Sequence, residues 1–156
     1  MPNILRATVV VVLLGSGCIG GLEPDVGDPQ RERCVNEDSD PGVDVSFSRD
    51  IAAGLLHRGI DTPGAGCRCH LPAEPSPIGF ELAGLDLSSY GGLRRGGVNS
   101  GATIVVPGQP CDSGIVLKLS EGPPFGSRIP QDGPPYLTDE EIQIVKDWIA
   151  EGALDD

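Results

Sequence analysis

The sequence predicts a mainly α fold, a small domain of short helices separated by long Gly/Pro-rich loops, and three observations lead there. Thr138-Asp139-Glu140-Glu141 followed by Ile142, Val145 and Ile149 combines a capping box with an apolar stripe at helical spacing. Ile51, Leu55 and Leu56 repeat that spacing near the other end of the region. Between them, 23 Gly and 15 Pro in 156 residues interrupt every regular pattern before it grows long. The aromatic residues are few: Phe47, Phe80, Tyr90, Phe125, Tyr136 and Trp148. So little bulk makes a firm core hard to build, and small exported domains meet that shortage with disulfides or a bound cofactor.

In chain order, residues 1–18 read as a lipoprotein-type signal peptide. Arg6 precedes the apolar run Ala7 to Leu14, and Gly15-Ser16-Gly17 leads into Cys18. The run is too short to span a bilayer of roughly 30 Å as a helix, and its order of charge, apolar stretch and small residues is that of a secretory signal. Cys18 is the candidate lipidation site. Gly15 stands where an aliphatic residue is usual, so an ordinary signal peptide cut near the same point is the alternative. Residues 19–44 form an acidic flexible tether, rich in Gly, Pro, Asp and Glu. Cys34 interrupts it, and an exported thiol there is expected to tie the tether back onto the domain.

The domain is placed at residues 45–156. Ser48 is read as the N-cap of a first helix from Arg49 to His57, ended by Gly59 and the Asp61-Thr62-Pro63-Gly64 cluster. Pro72, Pro75 and Pro77 keep the following chain extended. Ser88 is read as the cap of a short helix to Arg95, closed by Gly96-Gly97. Ile104-Val105-Val106 reads as a brief extended piece, and a third helix runs from Asp112 or Ser113 to Leu119. Glu121 to Pro135 is an irregular loop. The last helix, capped by Thr138, runs to Glu151 with Gly152 as its stop, and Ile144 and Trp148 widen its apolar stripe.

The chemistry gathers at Cys67-Arg68-Cys69-His70. Two thiols and an imidazole lie together in a chain whose only other histidine is His57. In C-x-x-C-H sites the sulfurs join the haem vinyl groups and the His takes one axial face of the iron. Here Cys69 and His70 keep their places, Gly66 stands where the first Cys belongs, and Cys67 comes one position late.

The chain resembles the planctomycete-type cytochrome c domain, a small haem module of exported bacterial proteins. The resemblance covers Val45 to Ala153 and is carried by several pieces in order. They are Val45-Ser46-Phe47-Ser48-Arg49-Asp50-Ile51, Cys69-His70, Gly84-Leu85-Asp86-Leu87-Ser88-Ser89-Tyr90, Val106-Pro107-Gly108-Gln109-Pro110, Arg128-Ile129-Pro130 and Leu137-Thr138-Asp139-Glu140-Glu141-Ile142, running into Trp148-Ile149 and Glu151-Gly152-Ala153. It implies a cytochrome c-like fold whose first and last helices pack together, and electron transfer through covalently attached haem c. It also implies His70 as the proximal iron ligand, with Cys67 and Cys69 as attachment residues. The family's axial Met falls at Ile129, and Met1 is the only methionine, so a haem here would lack the thioether that raises the potential. His57 is read as a partly exposed surface histidine rather than an iron ligand, Arg68 as solvated, and Trp148 as a core anchor.

Two readings of the cysteines stay open. If Cys67 and Cys69 hold haem, Cys34 and Cys111 remain to pair with each other. Without haem, two disulfides are expected, and because a bridge within Cys67-Arg68-Cys69 is strained, each of those cysteines pairs with Cys34 or Cys111. The second reading makes the protein a haemless, disulfide-stabilised structural or binding lipoprotein. Zinc held by Cys67, Cys69 and His70 is a third idea, at unusually narrow spacing. No catalytic constellation is visible, and no enzyme activity is expected. The net charge of −12 disfavours nucleic acid and anionic lipid surfaces. The expected partners are a redox protein and, through the Cys18 lipid, a membrane. The expected location is the periplasm or the outer membrane of a bacterium.

Overall fold

The computed structural model describes residues 34–58, 66–131 and 133–156. The signal segment with Cys18, the tether before Cys34 and the Asp61-to-Gly64 cluster lie outside the described residues. Five helices order the rest: α1 (Phe47–Leu56), α2 (Ile78–Ala83), α3 (Tyr90–Arg95), α4 (Gly114–Leu119) and α5 (Asp139–Ala150). Single 3-10 turns join them at Arg68–His70, Gly101–Ile104 and Pro110–Asp112. There is no strand among the described residues, and no helix there is long and apolar enough to cross a membrane.

The first helix departs from its expected bounds and winding. Its cap is Ser46 rather than Ser48: the Ser46 Oγ accepts the Arg49 N–H at 3.3 Å, and the Asp50 carboxylate accepts the Ser46 N–H at 2.9 Å. That reciprocal pair serves two otherwise orphaned donors, which Ser48 cannot do from inside the first turn. The backbone closes over five residues, as in Ile51 N–H to Ser46 O and His57 N–H to Ala52 O, so α1 is a π-type helix. More residues per turn keep Phe47, Ile51, Leu55 and Leu56 on one buried face. The Asp156 carboxylate accepts the Phe47 N–H at 2.9 Å, placing negative charge at the positive end of the helix.

The last helix follows its sequence pattern closely. Thr138 and Glu141 form the reciprocal capping box, and Ile142, Val145, Trp148 and Ile149 are buried. Ile144 is 36% exposed, so it does not widen the stripe. Gly152, at φ 107°, turns the chain out of the helix.

α1 and α5 pack together around three rings. Phe47 lies 5.5 Å from Trp148 and 5.3 Å from Tyr90, centroid to centroid, and the Tyr90 ring stands edge-on to both partners. The polar ends of the rings are used as well: Trp148 Nε1–H donates to Leu154 O at 3.0 Å and Tyr90 OH to Ala153 O at 2.9 Å. Trp148 is fully buried and serves as the expected core anchor.

The elements between them differ in detail from the sequence pattern. α2 lies where an extended Pro-rich segment was expected, starting directly after Pro77 and ending at Gly84, whose φ of 63° closes it. Its six residues are too few to show helical periodicity in sequence. α3 is capped by Ser89, whose Oγ accepts the Gly92 N–H, while Ser88 bonds back to Asp86. Ile104 closes a 3-10 turn, and Val105 after it is extended. Ser113 starts α4, but its buried Oγ receives the Val106 N–H and donates to Gln109 O.

The stretch before the domain is held down where it is described. Cys34 forms a disulfide with Cys111, Asn36 Oδ1 accepts the Cys111 N–H, and the Ser39 N–H and Oγ donate to the Asp147 carboxylate. The loop between α4 and α5 is irregular as expected. It is pinned by Lys118, whose Nζ donates to Phe125 O and Ser127 O, and by Arg128, whose Nε donates to Leu119 O.

Candidate functional site

The Cys67–His70 segment is a single turn anchored at both ends. Its entrance is fixed by the Cys67 N–H, which donates to Leu56 O at the end of α1. Its shape comes from two backbone bonds, His70 N–H to Cys67 O and Leu71 N–H to Arg68 O, each 2.9 Å. Its exit is fixed by the Leu87 N–H, which donates to His70 O at 3.0 Å. Arg58, just before the loop, pairs with Glu141 in the first turn of α5 at 2.5 Å.

Both imidazoles rest on the Leu85-Asp86-Leu87 segment. His70 Nδ1 lies 3.2 Å from Leu85 O, and His57 Nε2 lies 2.8 Å from Leu87 O. A carbonyl only accepts, so each of these nitrogens carries the proton in a neutral ring, and the lone pair of His70 sits on Nε2. A ligating histidine is held in the same way, its far nitrogen donating to a backbone carbonyl. Burial lowers the His70 pKa, and the bond to Leu85 O partly opposes that. His57 is partly exposed, and its ring bridges the end of α1 to Leu87.

Two glycines shape the turn. A Cβ on Gly66 would stand 1.9 Å from the Arg58 carbonyl oxygen, so the backbone occupies the place where a side chain would begin. A Cβ on Gly79, in α2, would stand 2.8 Å from His70 Nε2 and 3.0 Å from Cys69 O. α2 thus lies against the coordinating edge of the ring. Ile78 and Leu82 on the same helix are 50% and 75% exposed.

The cysteines divide cleanly. Cys34 and Cys111 are bonded to each other, while Cys67 and Cys69 are free thiols. Cys67 is partly buried and packs against the hydrophobic core. Burial, with a smaller contribution from Cys69, pushes that thiol up to about 11, against the opposing pull of Arg58. Cys69 is half-buried and Arg68 exposed.

Among the described residues, no group of three or more His, Cys, Asp and Glu side chains is arranged to hold a metal ion, so the zinc set does not assemble. Ile129, at the position that the resemblance gives to an axial Met, is partly buried against the core and has no coordinating atom. The residues that sequence reasoning missed are Gly79 and the carbonyls of Leu85 and Leu87. Gly79 had one faint signal, a glycine among apolar residues after a proline; the carbonyls had none.

No protein-family model matches the chain, and no curated protein or solved structure matches it either.

Proposed function

We propose that the protein is an exported electron-transfer module carrying haem c on the Cys67-Arg68-Cys69-His70 loop. The observation that carries this reading is the division of the cysteines. Cys34 and Cys111 use each other, and the two thiols left over flank Arg68 immediately before His70. The haemless alternative called for Cys67 and Cys69 to be spent in cross-pairings. The disulfide also accords with an oxidising compartment and with the signal-like residues 1–18.

The donor chemistry suits a haem: free thiols, and a neutral imidazole whose Nδ1–H is held by Leu85 O so that Nε2 is left to coordinate. The space does not yet suit it, because an iron on Nε2 would need room that Gly79 of α2 now takes. When bound, the haem supplies the one-electron chemistry. The chain's part is to orient the ring, anchor the turn on α1 and Leu87, and offer no thioether at Ile129, which favours a lower potential than His/Met ligation. An acidic exterior steers the molecule toward a basic redox partner, and a lipid on Cys18 would hold it at a membrane.

The packing of α2 on His70 favours a second reading, the haemless structural or binding lipoprotein. Expression in a host with haem-attachment machinery separates the two. The first reading expects a coloured protein whose haem mass survives denaturation. A colourless chain of apoprotein mass would leave the second.

A further inference from the structure

We propose that the cleft between the end of α4 and the side of α5 binds a small zwitterion, a carboxylate and an ammonium group carried on one short backbone. The cleft shares no residue with the Cys67–His70 turn, and the proposal does not rest on the electron-transfer reading.

The cleft holds about 400 Å³, and small-molecule sites run from about 300 to 1,000 Å³. Ser120 and Glu121 line it from the end of α4, Arg128 from the loop that follows, and Asp139, Gln143 and Lys146 from α5. The three α5 residues fall at helical spacing, so one side of that helix presents them together.

Its donors are cations without close partners. The protein has 23 acidic residues against 11 basic ones, so a cation with no carboxylate beside it stands out. Arg49, Arg58 and Arg95 each pair with a carboxylate, and Lys118 donates to two carbonyls. Lys146 is half-buried and has no hydrogen bond or ion pair among the described residues. Arg128 is held by its Nε, which donates to Leu119 O, and by the Tyr136 ring 4.4 Å from its guanidinium carbon. Glu121 stands off from it at 3.8 Å. A guanidinium fixed in this way keeps its other N–H groups for a planar acceptor such as a carboxylate.

Its other groups are acceptors. Ser120 Oγ donates to Val116 O and Gln143 Nε2 to Asp147, which leaves the hydroxyl lone pairs and the Gln143 Oε1. Glu121 and Asp139 are exposed, whereas Arg128 and Lys146 are half-buried, so the acids form a rim above deeper cations. This order sorts ligands by charge. A simple anion gains Arg128 and Lys146 but meets two carboxylates, and a simple amine meets two cations. A zwitterion suits both: its carboxylate goes inward to Arg128 and Lys146, and its ammonium outward to Glu121, Asp139 and the Gln143 Oε1.

The test is an amide chemical-shift titration of the full isotope-labelled chain at neutral pH with three probes. Glycylglycine carries both charges, N-acetylglycine only the carboxylate, and glycylglycinamide only the ammonium. Glycylglycine is expected to shift the Ser120, Gln143 and Lys146 amides to saturation. Each blocked analogue should bind at least about tenfold more weakly, the cost of one charge-assisted bond left unmade. Lys146→Gln should weaken glycylglycine by a similar factor with the denaturation midpoint unchanged, since Lys146 makes no hydrogen bond within the described fold. No saturable shift up to about 10 mM glycylglycine overturns the site. Equal binding of either blocked analogue overturns the zwitterion as its ligand. Wild-type affinity in Lys146→Gln overturns the inward carboxylate. If that variant does not fold, Glu121→Gln decides, its side chain being 78% exposed. It should narrow the gap between glycylglycine and N-acetylglycine, and an unchanged gap overturns the outward ammonium.

Discussion

The ring-filled centre between α1 and α5 and the turn from Cys67 to His70 lie at opposite ends of α1, and they treat their polar groups differently. In the centre the polar ends of the rings are matched: the Trp148 indole N–H and the Tyr90 hydroxyl each have a carbonyl, and both helix N-caps are reciprocal pairs. In the turn, two thiols stay out of any disulfide and the Nε2 edge of the His70 imidazole lies against Gly79. Groups paired as in the centre serve stability. Thiols outside any disulfide and an imidazole on one anchored turn are groups still able to react or bind.

The sharpest way to break this comparison is to empty the centre. Trp148→Ala removes a fully buried ring and should cost about 3–5 kcal/mol, read as a lower denaturant midpoint. A loss under about 1 kcal/mol would mean that the three rings do not anchor the fold. Next is the staple. Replacing Cys34 and Cys111 together with Ser opens a bridge across 77 residues and should cost about 2–4 kcal/mol by the same measurement. An unchanged midpoint would show that the Asn36 and Ser39 bonds hold the segment unaided.

Restoring the regular haem spacing makes a more pointed test. Gly66→Cys forces a Cβ against the Arg58 carbonyl and should destabilise the protein by roughly 1–3 kcal/mol, despite making the motif regular. A neutral effect would mean that the turn adapts freely, and the contrast with the rigid centre would fail. The smallest effect is one of pH. The folded His70 pKa is lowered, so above the ordinary value of 6.5 both folded and unfolded states hold it neutral and it contributes no slope. As pH falls below 6.5 the unfolded chain takes up a proton first, and stability declines until the folded pKa is passed. Denaturation curves should show this decline in the wild type and a shallower one in His70→Gln. Identical slopes would place the His70 ring in solvent.

What could be read in advance follows the reach of the forces involved. The capping box at Thr138 and the stripe through Ile142, Val145 and Ile149 are local patterns within one helix, and they survive into the structure. Ser46 and Ser48 are equivalent locally as caps of α1, and only the Asp50 carboxylate, reaching back to the Ser46 N–H, separates them. α2 leaves no periodic signal, because six residues bounded by Pro77 and Gly84 depend on tertiary packing rather than on a repeat along the chain. The candidate turn was visible as residue types, since a thiol-rich triplet before a histidine is rare in any chain. The surroundings of its side chains were not visible, because they come from distant segments.

The sequence by itself determined the mainly helical class, the last helix with its cap and stop, and the adjacency of Cys67, Cys69 and His70 on which the proposed function rests. Each of these is a matter of residue type and short spacing, which the chain states directly. The tertiary structure alone decided that Cys34 meets Cys111, that His70 leans on Leu85 O while α2 covers its other nitrogen, and that position 66 has no room for a side chain. Those outcomes depend on which backbone atoms the fold brings within a few ångströms across long separations, and no local pattern encodes that distance.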